Sequence, residues 1–263
     1  MGSFLFKKFT VRQHQSAMKV NTDGVLLPAW VGIKHFEVPQ DGVFRVLDIG
    51  TGTGVIALIT AQRLEQSGMI TNFEITGIDI DEVSSQEAQF NFSSSPWSRF
   101  MISKHISLQQ FLVEEGVRLK GKFSLILSNP PYFASSLKAP DQRRSDARHN
   151  DTLPFSHILS SADTLLNESG ILALVLPVKE GEMFIEQAAN SSLKLIRICR
   201  VRTLAGKKEK RLLLEFSRSK CGSNLNGEIT EEELIIQERG GEYYSHAYCS
   251  LVGDYYLKLF KTL

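Results

Sequence analysis

Cysteine is scarce in this 263-residue chain, which has only Cys199, Cys221 and Cys249, widely separated and without a C-x-x-C pair. An odd, scattered set of cysteines predicts reduced thiols and argues against both a disulfide framework and a metal site. Long apolar runs are also missing, since the longest, Ile171–Leu176, is far too short to cross a bilayer. Met1–Phe9 has two lysines and no apolar run after them, so no signal peptide is expected. These features predict a soluble, cytoplasmic protein without a metal or a membrane partner.

The chain also lacks an excess of charge of either sign. Its formal net charge is +1, so the molecule as a whole does not attract nucleic acid, and any such binding must come from local patches. Hydrophobic residues make up 42% of the chain and charged residues 22%, which is ordinary for a globular protein and argues against disorder. A chain of this length buries most of its unfolded surface, so a sizeable core is expected.

Apolar strand-like segments alternate with helix-like segments, which predicts an α/β fold: a mostly parallel sheet with helices on both faces. The predicted strands are Val46–Ile49, Glu74–Ile78, Phe123–Leu127, Ile171–Leu176, Leu193–Val201 and Arg211–Phe216. The predicted helices are Val55–Leu64, Glu82–Phe92, Leu153–Leu166 and Gly181–Asn190. Only about ten residues separate the last two strands, too few for a crossover helix, so these strands are expected to be antiparallel. Two polar segments are predicted to be exposed: Ser217–Asn226 as a loop, and Glu231–Glu233 as an acidic turn or helix start.

This order of elements resembles the Rossmann-like fold of class I S-adenosylmethionine-dependent methyltransferases, a mostly parallel seven-stranded sheet with an antiparallel last strand. The resemblance implies a single methyltransferase domain over residues 1–263. Within it, residues 41–220 would form the catalytic core, and residues 1–40 an extension that closes the cofactor site and contacts RNA. Residues 221–263 would form a C-terminal extension.

A glycine-rich loop, Asp48–Gly54, joins a predicted strand to a predicted helix. Glycines there permit a tight turn and let a ligand approach the backbone, although a turn without a ligand remains open. A dinucleotide-binding loop would need a third glycine where Val55 stands. The D-x-G-x-G-x-G spacing instead resembles the cofactor loop of class I methyltransferases, whose cofactor carries a sulfonium and an ammonium group and no phosphate. By that resemblance, the loop residues that bind S-adenosylmethionine are Asp48, Gly50, Thr51, Gly52 and Gly54.

A second acidic position, Asp79, ends the next predicted strand. A carboxylate at the C-terminal edge of a strand can accept hydrogen bonds from both ribose hydroxyls, and the resemblance gives Asp79 that role. Ile80 would pack on the adenine ring, whereas Asp81 is better suited to cap the following helix. Where the family often has an acidic residue for the adenine amine, this chain has Ser107, followed by Leu108, and a hydroxyl is expected to substitute.

Asn129-Pro130-Pro131-Tyr132 follows the predicted strand Phe123–Leu127. Two prolines remove backbone donors and fix φ, so a merely stiff loop is one interpretation. The chemistry of adenine favours another, because its N6 lone pair is delocalised and a poor nucleophile. The Asn129 side-chain oxygen and the Pro130 carbonyl can accept the two N–H bonds of that amine, while Tyr132 offers a face for the extruded base.

This tetrapeptide resembles the N-P-P-Y motif of amino-methyltransferases: DNA adenine enzymes, some RNA enzymes and the glutamine methyltransferases of release factors. The last usually have a helical domain of several dozen residues before the cofactor loop. Only 47 residues precede Asp48, so that class is disfavoured. A separate target-recognition domain, which DNA enzymes would need, is not evident in this length of chain.

The N-terminal segment is more discriminating. Phe6–Phe9, then His14–Leu27 and Ala29-Trp30, resemble the opening of the bacterial tRNA1(Val) adenine-N6 methyltransferases, which modify the adenine just 3′ of the anticodon. The resemblance extends through Arg143–His149 to Asp254–Lys258. It implies that the segment Lys19–Asp23 closes over the methionine end of the cofactor, with Lys19, Thr22 and Asp23 as cofactor-binding residues. An alternative role for Thr22 or Asp23 is the N-cap of a helix over Gly24–Val31.

Two segments, Lys194–Arg211 and Phe133–Asn150, are rich in lysine and arginine. Such runs are often only solvated faces, but beside a base-methylating motif they are expected to bind phosphates. The predicted RNA-binding residues are Lys7, Lys8, Arg143, Arg144, Arg148, His149, Lys207, Lys208, Lys210 and Arg211.

The sequence therefore predicts a monomeric tRNA (adenine-N6)-methyltransferase that uses S-adenosylmethionine and acts on adenine 37 in the anticodon stem-loop of tRNA1(Val). Two alternatives stay open. One is a DNA adenine-N6 or other N-P-P-Y amino-methyltransferase, and the other is a catalytically silent RNA-binding module with the same fold.

Overall fold

A computed structural model describes residues 2–16, 18–33, 39–68, 70, 72–131, 153–218, 228–240 and 243–258. The strands within these residues are β1 Ser3–Leu5, β2 Thr10–Arg12, β3 Phe44–Ile49, β4 Phe73–Asp79, β5 Met101–His105, β6 Phe123–Ser128, β7 Leu166–Pro177, β8 Lys194–Leu204, β9 Arg211–Ser217 and β10 Thr230–Gln237. The helices are α1 Thr22–Trp30, α2 Val55–Ser67, α3 Glu82–Ser93, α4 Leu108–Glu115, α5 Phe155–Leu165, α6 Val178–Ala188 and α7 His246–Val252. The predicted loop Ser217–Asn226 lies mostly outside the described residues.

The main sheet has the strand order β10-β8-β9-β7-β6-β3-β4-β5. β9 runs antiparallel to both of its neighbours, β7 and β8, and every other neighbouring pair is parallel. The predicted mostly parallel sheet and the antiparallel pair near its end are confirmed. The described sheet has eight strands instead of seven, because β10 adds in parallel to the outer edge of β8.

The prediction of a turn or helix start at Glu231–Glu233 is wrong, since these residues lie inside β10. The physical reason is the neighbouring strand. Glu232 pairs with Arg197 at 3.0 Å and accepts a hydrogen bond from the Trp30 indole at 2.7 Å, and Glu233 pairs with Arg202. An acidic run that would be solvated in isolation is therefore stable in a strand beside basic residues.

β5 was absent from the predicted strands. It is a short edge strand with only one buried residue, Met101, so it shows neither the apolar run of a buried strand nor a clear alternation. The N-cap predictions have mixed outcomes. Asp81 caps α3 by accepting from the backbone N of Ser84 at 2.8 Å, as predicted. The N-cap of α1, however, is Asn21, whose side chain accepts from Gly24 N at 2.9 Å, so the alternative of Thr22 or Asp23 is wrong.

Helices cover both faces of the main sheet, as predicted. Strand residues alternate between two apolar layers, so that Leu125 and Leu127 of β6 pack into one layer and Ile126 into the other. The first layer contains α1, α2, α3 and α7, and the second contains α4, α5 and α6. Within the described residues, no helix has both the length and the hydropathy that a membrane span requires.

The close approach of α2 to α3 depends on one glycine. Gly54 precedes α2 with φ of 80°, and a Cβ built on it would lie 2.4 Å from the ring of Phe92 in α3. No real Cβ contact is that short. Gly54 therefore permits both the left-handed backbone and the helix packing.

We predict that Gly54→Ala lowers the free energy of unfolding by about 2–4 kcal/mol, because left-handed strain and overpacking add. The matched control is Gly42→Ala, at φ of 72° with nothing within 4 Å of the added Cβ. It should lose only the backbone contribution of about 1–2 kcal/mol. Urea denaturation of both variants measures the difference, and equal losses would contradict the packing argument.

Candidate active site

The carboxyl ends of β3, β4 and β6 meet at one edge of the sheet, where a cavity of about 500 Å³ opens. Small-molecule sites in α/β proteins have this size and place. We refer to it as the first cavity. Its lining residues are Met18, Lys19, Asn21, Gly24, Ile49, Gly50, Thr51, Gly52, Thr53, Val55, Ile56, Ile78, Asp79, Ile80, Asp81, Ser84, Ile106, Ser107, Leu108, Gln109, Asn129, Pro131 and Leu153.

The glycine-rich loop bends back onto the end of β4. The backbone N–H groups of Gly50 and Thr51 donate to the Ile78 carbonyl at 2.9 and 3.0 Å. Gly50 and Gly52 have positive φ and open space where a Cβ would stand, so a ligand can approach the backbone there. Of the predicted cofactor residues in this loop, Gly50, Thr51 and Gly52 line the first cavity. Gly54 does not, because it faces Phe92.

Asp48 is fully buried beneath this loop and does not line the first cavity. Its Oδ2 accepts a hydrogen bond from the Thr51 hydroxyl at 2.7 Å, while no hydrogen-bond partner for Oδ1 lies among the described residues. Burial is the largest influence and raises the pKa of Asp48 to about 7, against the lowering effect of Thr51 and with a further rise from the charge of Asp79. The carboxyl group therefore holds the loop through the Thr51 hydroxyl and can gain or lose a proton near neutral pH.

Asp79 lies at the C-terminal end of β4 and lines the first cavity. Its two oxygens accept from the backbone N–H groups of Gly52 at 2.8 Å and Asp81 at 2.9 Å. Burial raises the pKa of Asp79, while these two hydrogen bonds lower it. A carboxylate has about four acceptor positions, so two remain for ligand hydroxyls.

The apolar part of the first cavity adjoins Asp79. Ile80, which is 56% exposed, lines this part together with the buried Ile106 and Leu108. A carboxylate beside two apolar walls fits a ribonucleoside with cationic groups. A phosphate would be repelled by Asp79, which occupies the backbone donor of Gly52 that a phosphate would need.

Ser107 lines the first cavity, but its hydroxyl also caps α4 by accepting from Gln110 N at 3.1 Å. Gln109, two residues after Ser107, also lines the first cavity and was not predicted as a cofactor residue. Its amide nitrogen lies 2.6 Å from Nδ1 of His157. This contact with His157 holds the Gln109 amide, and with it the amide oxygen, in place. The amide lies beside Ser107, the position at which the family often has an acidic residue.

A segment before α1, residues 13–16 and 18–20, contributes Met18 and Lys19 to the first cavity; we call it the covering segment. The Lys19 ammonium donates to the Gln13 carbonyl at 2.6 Å. Lys19 thus lines the cavity, whereas Thr22 and Asp23 do not. Successive helical residues point about 100° apart, and here Gly24 is the residue of the first turn of α1 that faces the cavity. Asp23 instead forms an ion pair with Arg211 at 2.7 Å.

Glu87 of α3 holds the covering segment. This buried carboxylate accepts from the backbone N–H groups of His14 at 2.7 Å and Ser16 at 2.8 Å, and from the Ser16 hydroxyl at 2.5 Å. Burial alone would raise the pKa of Glu87, but the hydrogen bonds from Ser16, His14 and Gln15 outweigh it and hold that pKa below its usual range. One turn further, the Asn91 amide donates to the Arg12 and Thr53 carbonyls, both at 2.9 Å. The helix face that carries Glu87 and Asn91 thus connects the covering segment to the glycine-rich loop.

The N-P-P tripeptide lies at the end of β6. The Ser128 hydroxyl donates to the Ile49 carbonyl at 2.8 Å, which joins the ends of β6 and β3. Asn129 is 8% exposed and lines the first cavity, with its amide nitrogen 3.9 Å from the sulfur of Met18. Pro131 also lines the cavity, while Pro130 is buried outside its lining. Tyr132 lies outside the described residues.

Of the six predicted RNA-binding residues that the structure describes, three have partners within the chain. Lys8 pairs with Glu65, Arg211 pairs with Asp23, and the Lys7 ammonium donates to the Gly253 carbonyl. Lys207, Lys208 and Lys210 are exposed. Four of the predicted residues lie outside the described part of the chain: Arg143, Arg144, Arg148 and His149.

The basic segment around β8 is less available than its composition suggests. Arg197 pairs with Glu215 and Glu232 and stacks over the Trp30 ring at 4.1 Å. Arg200 and Arg202 both pair with Glu209. The arginines of β8 are therefore engaged in ion pairs within the fold, whereas the lysines of the β8–β9 loop are exposed.

Within the described residues, no group of three or more His, Cys, Asp or Glu side chains could hold a metal ion. Cys199 and Cys249 are free thiols, and burial raises the pKa of Cys199 to about 12. The thiol of Cys199 is therefore not a nucleophile at neutral pH.

Comparison with known proteins identifies the family. A model of a methyltransferase domain matches residues 41–221. A protein of Flavobacterium psychrophilum named tRNA1(Val) (adenine(37)-N6)-methyltransferase is 38% identical over 256 residues, which is 97% of this chain and 100% of the relative. A Vibrio campbellii protein of the same name is 37% identical, over 97% of this chain and 96% of its own length. The chain belongs to the tRNA1(Val) (adenine(37)-N6)-methyltransferase family.

Solved structures agree on the fold of this methyltransferase. Atu636 of Agrobacterium tumefaciens, a predicted O-methyltransferase, superposes with a TM-score of 0.63 at 18% identity, covering 89% of this chain and 96% of that one. TYW2 of P. horikoshii, solved in complex with MeSAdo, gives a TM-score of 0.51 at 10% identity, covering 82% and 71%. The class I methyltransferase fold is confirmed, and with the family so is S-adenosylmethionine as the cofactor. The first cavity fits that cofactor, because Asp79 and the apolar walls suit its nucleoside.

Sequence reasoning missed Met18 and Gln109 in the first cavity, and Glu87 behind the covering segment. Of the residues missed, only Glu87 could have been recognised from the sequence pattern, together with Asn91 on the same helix. They follow Ser84 at spacings that place all three on the face of α3 shared with Ala88 and Phe92, and polar groups on an apolar face need partners.

We predict that Glu87→Gln weakens the binding of S-adenosylmethionine about tenfold or more. A glutamine cannot accept hydrogen bonds on both ends of its amide, so part of the covering segment loses its partner. Isothermal calorimetry measures the dissociation constant. The matched control is Glu82→Gln on the same helix, where the exposed carboxylate accepts a hydrogen bond from the exposed Gln86 and, among the described residues, none from the covering segment. Equal affinities for the two variants would contradict the positioning role of Glu87.

We predict that Asp48 makes the stability of the cofactor-free protein fall as pH rises from about 4 to about 7. The unfolded chain ionises Asp48 near 3.8, whereas the folded protein retains the proton until about 7. The Asp48→Asn variant cannot show this dependence, because its amide does not titrate. As the pH rises across this window, the parent should therefore lose stability relative to the variant. The difference between their free energies of unfolding should change by on the order of 4 kcal/mol at most. Urea denaturation at several pH values measures it. A difference that does not change with pH would refute the buried proton.

Proposed function

We propose that this protein transfers a methyl group from S-adenosylmethionine to N6 of adenine 37 in tRNA1(Val). The observation that carries the proposal is the position of Asn129. Its amide lies in the wall of the first cavity, at the end of the strand next to the glycine-rich loop, and the Ser128–Ile49 hydrogen bond holds the two strand ends together. The names of relatives that match 97% of the chain support the same substrate.

The residues of the N-P-P-Y motif account for the chemistry. S-adenosylmethionine supplies an electrophilic methyl group on a sulfonium. The Asn129 side-chain oxygen and the Pro130 carbonyl accept hydrogen bonds from the two N–H groups of the adenine amine. These hydrogen bonds make the nitrogen more tetrahedral and direct its lone pair at the methyl group. Pro130 and Pro131 restrict the backbone that holds these acceptors. We assign Tyr132 the stacking face for the base.

The cofactor residues take separate parts of the molecule in this proposal. Asp79 accepts from the ribose hydroxyls, Ile80 and Leu108 enclose the adenine ring, and Ser107 meets its amine, with Gln109 as an additional acceptor. Lys19 covers the methionine end, and Gly50, Thr51 and Gly52 contact the same end. Asp48 acts through the Thr51 hydroxyl. Gly54, Thr22 and Asp23 have no proposed contact, since their side chains or Cβ positions face elsewhere.

The proposed partner is the anticodon stem-loop, whose unpaired bases are cheaper to extrude than bases in a duplex. Lys207, Lys208 and Lys210 would bind its phosphates, which gives affinity without reading sequence. Arg143, Arg144, Arg148 and His149 remain proposed contacts from the loop after the motif. We further propose a monomeric, cytoplasmic enzyme that needs no metal, with the catalytic core at residues 41–220.

We predict that Asn129→Ala lowers turnover on tRNA by about 10²–10³-fold while the dissociation constant of S-adenosylmethionine changes little, because the lost acceptor acts on the methyl acceptor. Methyl incorporation into bulk tRNA from a strain lacking this protein, followed by nucleoside mapping, measures the product. Asn190→Ala, an exposed asparagine outside the site, is the matched control and should retain activity.

Duplex DNA is the second substrate to be assayed. Methylation of DNA in preference to tRNA would overturn the proposed substrate. Loss of cofactor binding in Asn129→Ala would remove Asn129 from its proposed role.

A further inference from the structure

A second cavity, of about 640 Å³, lies on the other side of Asn21 from the first. Asn21 lines both, so the two cavities share a wall at the N-cap of α1. The second cavity has an aromatic lining formed by Phe4, Tyr244, Tyr248 and Tyr256. Nothing in the proposed chemistry uses this cavity.

The aromatic rings of the second cavity are ordered. The rings of Tyr244 and Tyr248 stack with centroids 5.3 Å apart and planes at 21°, and Tyr248 is buried. Phe4 meets Tyr256 edge to face at 6.0 Å. Tyr244 and Tyr256 are half-buried and line the cavity, and the Tyr256 ring also stacks on Phe6 with centroids 5.8 Å apart. A fixed aromatic wall with phenol groups suits a flat heteroaromatic ligand, which gains stacking area and hydrogen bonds together.

Positive charge borders the same cavity. Lys258 lines it, and so does Gln237, whose carbonyl accepts from Ala205 N at 2.9 Å and so holds the start of the β8–β9 loop at the rim. That loop carries Lys207, Lys208 and Lys210. Among the described residues, none of these four ammonium groups has an ion-pair partner, whereas Arg200 and Arg202 nearby are paired. The cations left over are lysines beside an aromatic cavity.

We propose that the second cavity binds an unpaired nucleobase of the RNA substrate, one close to the target adenine in the same loop. The base stacks on Tyr244 and Tyr256, and the adjoining phosphates lie against Lys258 and the lysines of the β8–β9 loop. Single-stranded nucleic acid is recognised by this combination of aromatic faces and cations. Because Asn21 lines both cavities, the base would lie next to the site that takes the target adenine. The inference rests on the proposed function and extends it to a second base.

The test compares two substitutions at one position, Tyr244→Ala and Tyr244→Phe. Stacking on one aromatic side chain is worth about 1–3 kcal/mol, so Tyr244→Ala should weaken binding of an anticodon stem-loop RNA about tenfold. Tyr244→Phe keeps the ring and should bind within about twofold of the parent. Fluorescence anisotropy measures RNA affinity without requiring methyl transfer, and calorimetry should give an unchanged dissociation constant for S-adenosylmethionine in both variants.

A second variant guards against misfolding of Tyr244→Ala, because the lost ring also packs on Tyr248. Lys258→Ala removes a rim charge and should reduce the slope of log affinity against log salt by about 0.7. Lys120→Ala, an exposed lysine on the turn after α4, is its control and should leave the slope unchanged.

The outcomes separate the two proposals. Parent-like RNA affinity in Tyr244→Ala together with an unchanged salt slope in Lys258→Ala overturns the second base site. A parent protein that binds the RNA through these residues but transfers no methyl group overturns the proposed function and leaves the base site standing.

Discussion

Three backbone hydrogen bonds between the glycine-rich loop and the end of β4 determine the geometry of this site. Gly50 and Thr51 donate to the Ile78 carbonyl, and Gly52 donates to the Asp79 carboxylate. The loop that makes them has Gly50 and Gly52 at positive φ, a backbone conformation that glycine adopts readily. The loop is thereby held at the end of the neighbouring strand, and one carboxylate both positions the loop and faces the ligand. A change that moved the loop would also move Asp79, so the two halves of the nucleoside site are not independent.

A second set of hydrogen bonds makes the N-terminal extension part of the site. Glu87 and Asn91, one turn apart on α3, bind the backbone of residues 12–16 and the Thr53 carbonyl. An ionised carboxylate that accepts several N–H bonds is a strong and directional partner. The covering segment has little apolar surface of its own, and its position over the cavity therefore depends on α3. Closure of the site therefore depends on the packing of α3.

Much of the fold could be predicted from local pattern, and the failures have physical causes. The buried strands β3, β6 and β7 are apolar runs between turn signals, and Asp81 has the spacing of an N-cap. β10 was missed because its acidic residues become a strand only beside the arginines of β8, and β5 because an edge strand buries little. Gly54 shows that local sequence pattern is also limited in predicting which residues belong to the site. Its spacing within the motif is that of a ligand-binding glycine, but only the packing of Phe92 reveals that it serves the helix contact.

The ion pairs of the β8–β10 edge decide which positive charges of this segment remain exposed. Arginine can form planar, paired hydrogen bonds with a carboxylate, as Arg197 does with Glu232. The arginines of β8 form further ion pairs with Glu215, Glu209 and Glu233. The lysines of the adjoining loop make no such pairs among the described residues, and an ammonium on a flexible stem can follow a mobile phosphate. A neutral total charge is therefore compatible with nucleic-acid binding here. The arginines of β8 are paired within the fold, and Lys207, Lys208 and Lys210 of the adjoining loop are exposed, a local positive charge that the net charge of the chain does not reveal.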